Sequence, residues 1–151
     1  MFVKYRTAQP RDQVGGDWYD ARSEADGSAV VVIGDVAGHG LHAAARMVRI
    51  GGALRELLDQ PPGPLLGAVI DAEYGLAHEE LAPGDILFLY TDGLIERRGV
   101  SLQDGFSALL AAAASIGGEN TAMAAAAALC GGLNLPPADD DTCLIAVHVG
   151  A

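Results

Sequence analysis

Apolar residues in this chain fall in short runs separated by turn-forming residues, and the runs differ in period. Val3 to Gln9 alternates weakly between apolar and polar positions and predicts a first strand. Asp17 to Ser23 predicts a second, followed by the turn Ala25-Asp26-Gly27-Ser28. Ala29 to Ile33 is continuously apolar, the pattern of a strand covered on both faces. Strand, Asp-Gly turn and strand make a hairpin that brings Asp17 and Asp35 to one end. Gly38-His39-Gly40 then opens a helix from Leu41 to Leu58, where Leu41, Ala44, Ala45, Val48, Leu54, Leu57 and Leu58 mostly keep helical spacing. Gly51-Gly52 weakens that helix or lets a neighbour pack closely, and Pro61-Pro62-Gly63-Pro64 stops it.

The second half follows the same rules. Leu65 to Leu81 is mixed and predicts short strands and loops. Ala82-Pro83-Gly84-Asp85 is a turn, and Ile86 to Thr91 is another strand expected to be buried, ended by Asp92-Gly93. Phe106 to Ile116 and Thr121 to Leu133 predict two Ala-rich helices, split by Gly117-Gly118-Glu119-Asn120. Cys143 to Val149 predicts a last strand. Without internal repeat or linker, residues 1–151 are expected to form one α+β domain.

Composition narrows the function. The formal net charge is -11, which argues against nucleic acid or an anionic membrane surface as a partner and suits a site that collects cations. Cys130 and Cys143 lie far apart in apolar surroundings and read as buried thiols in a reducing compartment. No stretch is long and apolar enough to span a bilayer, and the first residues lack the apolar stretch of a signal peptide, so a cytoplasmic location is expected.

Four aspartates stand at the ends of apolar runs, beside glycine, a turn or further aspartates: Asp17, Asp35, Asp92 and Asp139. Taken singly, Asp92 reads as a turn residue and Asp139-Asp140-Asp141 as a solvated loop, just as Asp26 and Asp85 read as turn formers. Together they suggest a hard divalent cation, because Mg²⁺ and Mn²⁺ prefer oxygen ligands. Asp35 is the best candidate for a bridging ligand. It follows an apolar strand directly and precedes a Gly-rich turn able to expose a backbone carbonyl, that of Val36. Two such ions can activate a water and clamp a phosphoryl group, which needs no protein nucleophile. No Ser/His/Asp or Cys/His arrangement competes with that reading. His39 and His42 lack a third partner at zinc-like spacing. Arg97-Arg98 reads as a surface charge pair.

In this order the motifs resemble those of the metal-dependent protein phosphatases (the PPM, or protein phosphatase 2C, family), in the bacterial branch typified by sporulation stage II protein E and the stress-response sigma-factor regulators. The matching segments are Gly15-Gly16-Asp17-Trp18-Tyr19-Asp20, Gly34-Asp35-Val36-Ala37-Gly38-His39-Gly40, Leu89-Tyr90-Thr91-Asp92-Gly93-Leu94-Ile95-Glu96 and Asp139-Asp140-Asp141-Thr142. The resemblance implies a sandwich of two antiparallel sheets flanked by helices, with two Mn²⁺ or Mg²⁺ ions at one end. It implies hydrolysis of phosphoserine or phosphothreonine on a protein, in this branch a STAS-type anti-sigma-factor antagonist, by a metal-bound water. By position, Asp17, Asp35, the Val36 carbonyl, Asp92 and Asp139 would bind metal, with Asp140 the alternative to Asp139 within the triplet. A homodimer is compatible with this branch.

The sequence departs from the family after the first long helix. Leu57-Leu58-Asp59-Gln60 runs almost directly into Pro61-Pro62-Gly63-Pro64-Leu65-Leu66-Gly67, which matches a later segment of the family. A sandwich shortened in the middle is therefore expected, with strand edges that lack partners. This motivates a second reading, a non-catalytic relative that binds a regulatory partner.

Overall fold

A computed structural model describes residues 1–6, 16–36, 42, 44–50, 78–118, 121–138 and 140–150. Strand β1 (Phe2–Arg6) is followed by β2 (Asp17–Ser23) and β3 (Ala29–Asp35). Residues 44–50 form helix α1, the described part of the helix expected from Leu41 to Leu58. Then come β4 (Ile86–Tyr90), a 3₁₀ turn (Asp92–Leu94), α2 (Leu102–Ala114), α3 (Ala122–Gly132) and β5 (Thr142–His148). Among the described residues no helix is long and apolar enough to cross a membrane.

The strands make two antiparallel sheets, one ordered β1-β5-β4 and the other the β2-β3 hairpin. Strand β5 is the centre of the fold. It pairs with a strand on each side, α3 packs against it, and β2 also contacts it. Cys143, Leu144, Ile145 and Ala146 are consequently all buried. Side chains alternate along a strand, so a run buried without alternation means that both faces are covered. Leu144 and Ala146 join the cluster formed with Leu109, Ala112, Ala126 and Leu129 of the helices. Cys143 and Ile145 point to the opposite face, where β2 lies.

Full burial was expected of Ala29 to Ile33 and of Ile86 to Thr91, and neither shows it. Strand β3 is mostly half-buried and β4 exposes Leu87. The reason is sheet position. Among the described residues β3 belongs to a two-stranded sheet and β4 is an edge strand, so each lacks a neighbour that β5 has. The hairpin itself forms as expected. Glu24 N–H donates to Ser28 O at 2.8 Å, and Asp26 Oδ1 accepts from the Ser28 backbone and hydroxyl. Trp18 lies across Gly34, its partner on β3, where a Cβ would stand 2.6 Å from the indole nitrogen.

Helix α2 begins four residues before the expected Phe106. The signal is Ser101-Leu102-Gln103-Asp104, a capping arrangement at the correct spacing. Ser101 Oγ accepts from Asp104 N–H at 3.1 Å and donates to Asp104 Oδ2 at 2.7 Å. Thr121 caps α3 in the same way, accepting from Ala124 N–H at 3.1 Å. The alanines let the two helices approach closely: a Cβ on Gly132 would stand 3.2 Å from that of Ala112. Both cysteines are free thiols; Cys143 is buried as expected, and Cys130, also expected to be buried, is half-buried.

Leu129 is 0% exposed and Met123 60% exposed on the same helix. Leu129→Ala is expected to lower the unfolding free energy by about 2–5 kcal/mol through lost burial and a residual cavity, whereas Met123→Ala should change it by less than about 0.5 kcal/mol. Chemical denaturation of the two variants measures the contrast.

Candidate functional site

Antiparallel pairing sets Asp17, the first residue of β2, opposite Asp35, the last of β3. Asp17 is 4% exposed and Asp35 is exposed, so one carboxylate forms a floor and the other a rim. Val36 follows, buried, with its N–H donating to Gly16 O at 3.1 Å. That bond ties the exit of β3 to the entry of β2.

The second sheet reaches the same place through Thr91, which is 5% exposed. Its hydroxyl donates to Asp17 Oδ2 at 2.7 Å and accepts from Cys143 N–H at 2.9 Å. Asp92 comes next, exposed at the start of the 3₁₀ turn. Gly93 then passes so close to the Asp141 carbonyl that a Cβ there would overlap it. Thr142 Oγ1 donates to Gly93 O at 3.0 Å. The turn carrying Asp92 is thus seated against the segment carrying Asp140 and Asp141. Asp139 lies outside the described residues, as do Gly38, His39 and Gly40.

Arg97 fastens this arrangement from behind. Its guanidinium donates to the carbonyls of Gly93 at 2.6 Å, Leu94 at 2.9 Å, Glu96 at 2.6 Å and Pro136 at 2.7 Å. A surface charge pair was expected here. Instead a planar fork collects carbonyls from a turn and from the loop before the acidic triplet, a geometry that Arg suits and Lys does not. Periodicity cannot reveal such a role, because the acceptors are backbone atoms far away in sequence.

The family model described as Stage II sporulation protein E (SpoIIE) matches this chain over residues 25–61 and 56–150. The chain belongs to the SpoIIE family. Its fold is similar to that in the crystal structure of the RsbU and RsbW domains of Rv1364c from Mycobacterium tuberculosis, with a TM-score of 0.80 and 25% identity over 99% of this chain. The chain spans 60% of the length of that solved chain. The expected PPM-like architecture of two antiparallel sheets with flanking helices is therefore the one present. Residues 56–61 belong to both matched stretches of the SpoIIE model. That overlap falls where the first helix was read as running into a later segment.

In this SpoIIE-family chain the carboxylates act on one another. Burial pushes the Asp17 carboxyl up to about 6, and Asp35, Asp141 and Asp140 push the same way against the Thr91 hydrogen bond. Asp35 is raised by burial and by Asp92, Asp140 and Asp141. Among the described residues no Lys or Arg acts on either one. The neighbouring Cys143 thiol is pushed up to about 11 by burial and by Asp17. Tyr5, opposite Cys143 on β1, is pushed up to about 12 by burial and then by Asp141 and Asp17. Sequence reading missed Thr91 and Tyr5. Thr91 stands inside a flagged motif, and its signal was a hydroxyl directly before the acidic turn. Tyr5 carried no signal, since only pairing with β5 brings it near.

These oxygen donors suit a hard cation chemically, because they gather negative charge without a basic counterweight among the described residues. Among the described residues, however, no three of them already form a closed ligand set.

Two outcomes follow. A carboxyl raised in the folded state is ionised at a cost above its folded value. As pH falls through about 6, the folded chain binds a proton that the unfolded chain takes up only near 3.8, so stability rises. Without metal, Asp17→Asn should be more stable than the parent at pH 7.5 by roughly 1–2 kcal/mol after solvent screening. Denaturation in a chelator should show that gain shrinking toward pH 5. Arg97→Ala should cost about 2 kcal/mol, and Arg97→Lys should recover less than half, as read from the same denaturation midpoints.

Proposed function

We propose that this chain is a Mn²⁺- or Mg²⁺-dependent protein serine/threonine phosphatase. The observation that carries the reading is the meeting of Asp17 and Asp35 with Asp92, Asp140 and Asp141 at one end of the sandwich, close enough to raise the proton affinity of Asp17 and Asp35. Membership of the SpoIIE family supports it. Asp17, Asp35, the Val36 carbonyl and Asp92 would hold the ions, together with Asp139 or Asp140. Asp35 would be the bridging ligand. When bound, two such ions would supply an acidic water near neutral pH and neutralise the phosphoryl oxygens.

The chain's own residues prepare that chemistry. Thr91 fixes one oxygen of Asp17, leaving the other for an ion. Asp35, Asp92 and Asp140 are exposed, so a phosphorylated side chain on another protein can approach from solvent. The absence of a glycine-rich nucleotide pattern in the sequence argues against phosphoryl transfer from ATP. By the resemblance of its motifs, the substrate is phosphoserine or phosphothreonine on a STAS-type anti-sigma-factor antagonist.

The overlap at residues 56–61 favours a second reading, in which the shortened domain binds such a partner without turnover. One experiment separates the two. The purified chain should hydrolyse para-nitrophenyl phosphate only with Mn²⁺ or Mg²⁺ present. Asp35→Asn should lower that rate at least 100-fold, about 2.7 kcal/mol in the barrier. Full activity in Asp35→Asn would sink the phosphatase reading. No turnover by the parent, with Mn²⁺ and the phosphoprotein both bound in calorimetry, would establish the binding module instead.

A further inference from the structure

A cavity of about 220 Å³ lies on the helix side of the β1-β5-β4 sheet, beside the end that carries the aspartates. Strand β1 contributes Lys4 and Arg6, which face Leu144 and Thr142 across the β1-β5 pairing. The segment after α3 contributes Leu133 and Leu135, and Arg97 closes the wall. The described lining holds three Lys or Arg residues and no Asp or Glu, in a chain with 9 of the former and 20 of the latter. This is a local reversal of the overall charge.

The two halves of the lining ask for different chemistry. Lys4 and Arg6 are exposed. Arg6 spends one long contact, 3.5 Å, on Ala138 O, and a guanidinium has five N–H donors. Arg97 is already engaged with carbonyls and contributes its charge. Leu133 and Leu135, both half-buried, offer an apolar wall over the buried Leu144. An inorganic anion would satisfy the cations and leave that wall wet. A carboxylate side chain with an apolar neighbour satisfies both. At net charge -11 the chain as a whole repels an acidic protein, and this patch gives its acidic residues a favourable place to settle.

We propose that this cavity is a docking site for an acidic, partly apolar segment of a protein partner. Lys4 and Arg6 bind its carboxylates and the half-buried Leu133 and Leu135 its apolar side chain. The cavity adjoins the aspartate site without including it. Its wall contains Thr142 and Arg97, both bonded to Gly93 O, and Gly93 directly follows Asp92. A segment seated there lies alongside the acidic end and leaves that end open. That the docked partner is also the substrate rests on the phosphatase reading; the docking does not.

Fluorescence anisotropy tests the proposal on the whole chain, with a labelled peptide of alternating Leu and Glu and a second of alternating Leu and Gln. The acidic peptide is expected to bind at least tenfold more tightly. Lys4→Gln with Arg6→Gln should weaken it at least tenfold, and Leu135→Ala should weaken it several-fold, with thermal midpoints close to the parent's. Equal affinity for both peptides overturns the proposal, as does binding unchanged in the double variant. Displacement by equimolar inorganic phosphate overturns it in favour of a small-anion site. Asp35→Asn should leave peptide binding intact, so a failure of hydrolysis and a failure of docking are read separately.

Discussion

The Thr91 hydroxyl joins the two sheets. It donates to Asp17 on the hairpin and accepts from the Cys143 backbone on the central strand. Both groups are buried, and a buried carboxylate without a donor is costly. One side chain therefore satisfies a polar group from each sheet and fixes their separation at the end where the aspartates stand. Hairpin pairing sets Asp35 opposite Asp17 and Asp92 follows Thr91 in sequence, so that contact brings the acidic ends of the two sheets together.

The loops around this point are held by close approach more than by packing. Gly93 lacks the Cβ that would push the Asp141 segment away. Thr142 and Arg97 both bond to Gly93 O, and Arg97 extends the tie to Pro136. Two acidic segments distant in sequence are thereby held side by side against their mutual repulsion. Strand β5 supplies the rigid support. It is buried on both faces and has strand neighbours on each side, so the residues at its start have little freedom to shift.

Gathering carboxylates in this way lowers the stability of the metal-free chain. Asp17 and Asp35 are both raised by burial and by other aspartates, which means that the fold maintains charges in surroundings that resist them. Such strain is characteristic of sites shaped for a ligand rather than for stability. The cavity on the helix side contrasts with it, since Lys4 and Arg6 stand there in a described lining that holds no Asp or Glu.

Much of this was legible in the sequence. The hairpin from Asp17 to Asp35, the turn at Asp26 and Gly27, the two Ala-rich helices and the last strand follow from local period and turn chemistry, which depend only on neighbours along the chain. The order of the aspartate motifs pointed to the family for the same reason. Burial was misread for β3 and β4 because an apolar run does not say whether its strand will be central or at an edge. The start of α2 was misread because Ser101 and Asp104 form a cap that apolar spacing does not register. By itself the sequence determined which segments become strands and helices and which aspartates stand at their ends. Tertiary structure alone decided that β5 is central, that Thr91 bridges the sheets, that Tyr5 lies near the carboxylates and that Arg97 is a clamp. Each of these depends on atoms brought together from distant parts of the chain, and many of those atoms belong to the backbone, which every residue shares and no sequence pattern marks.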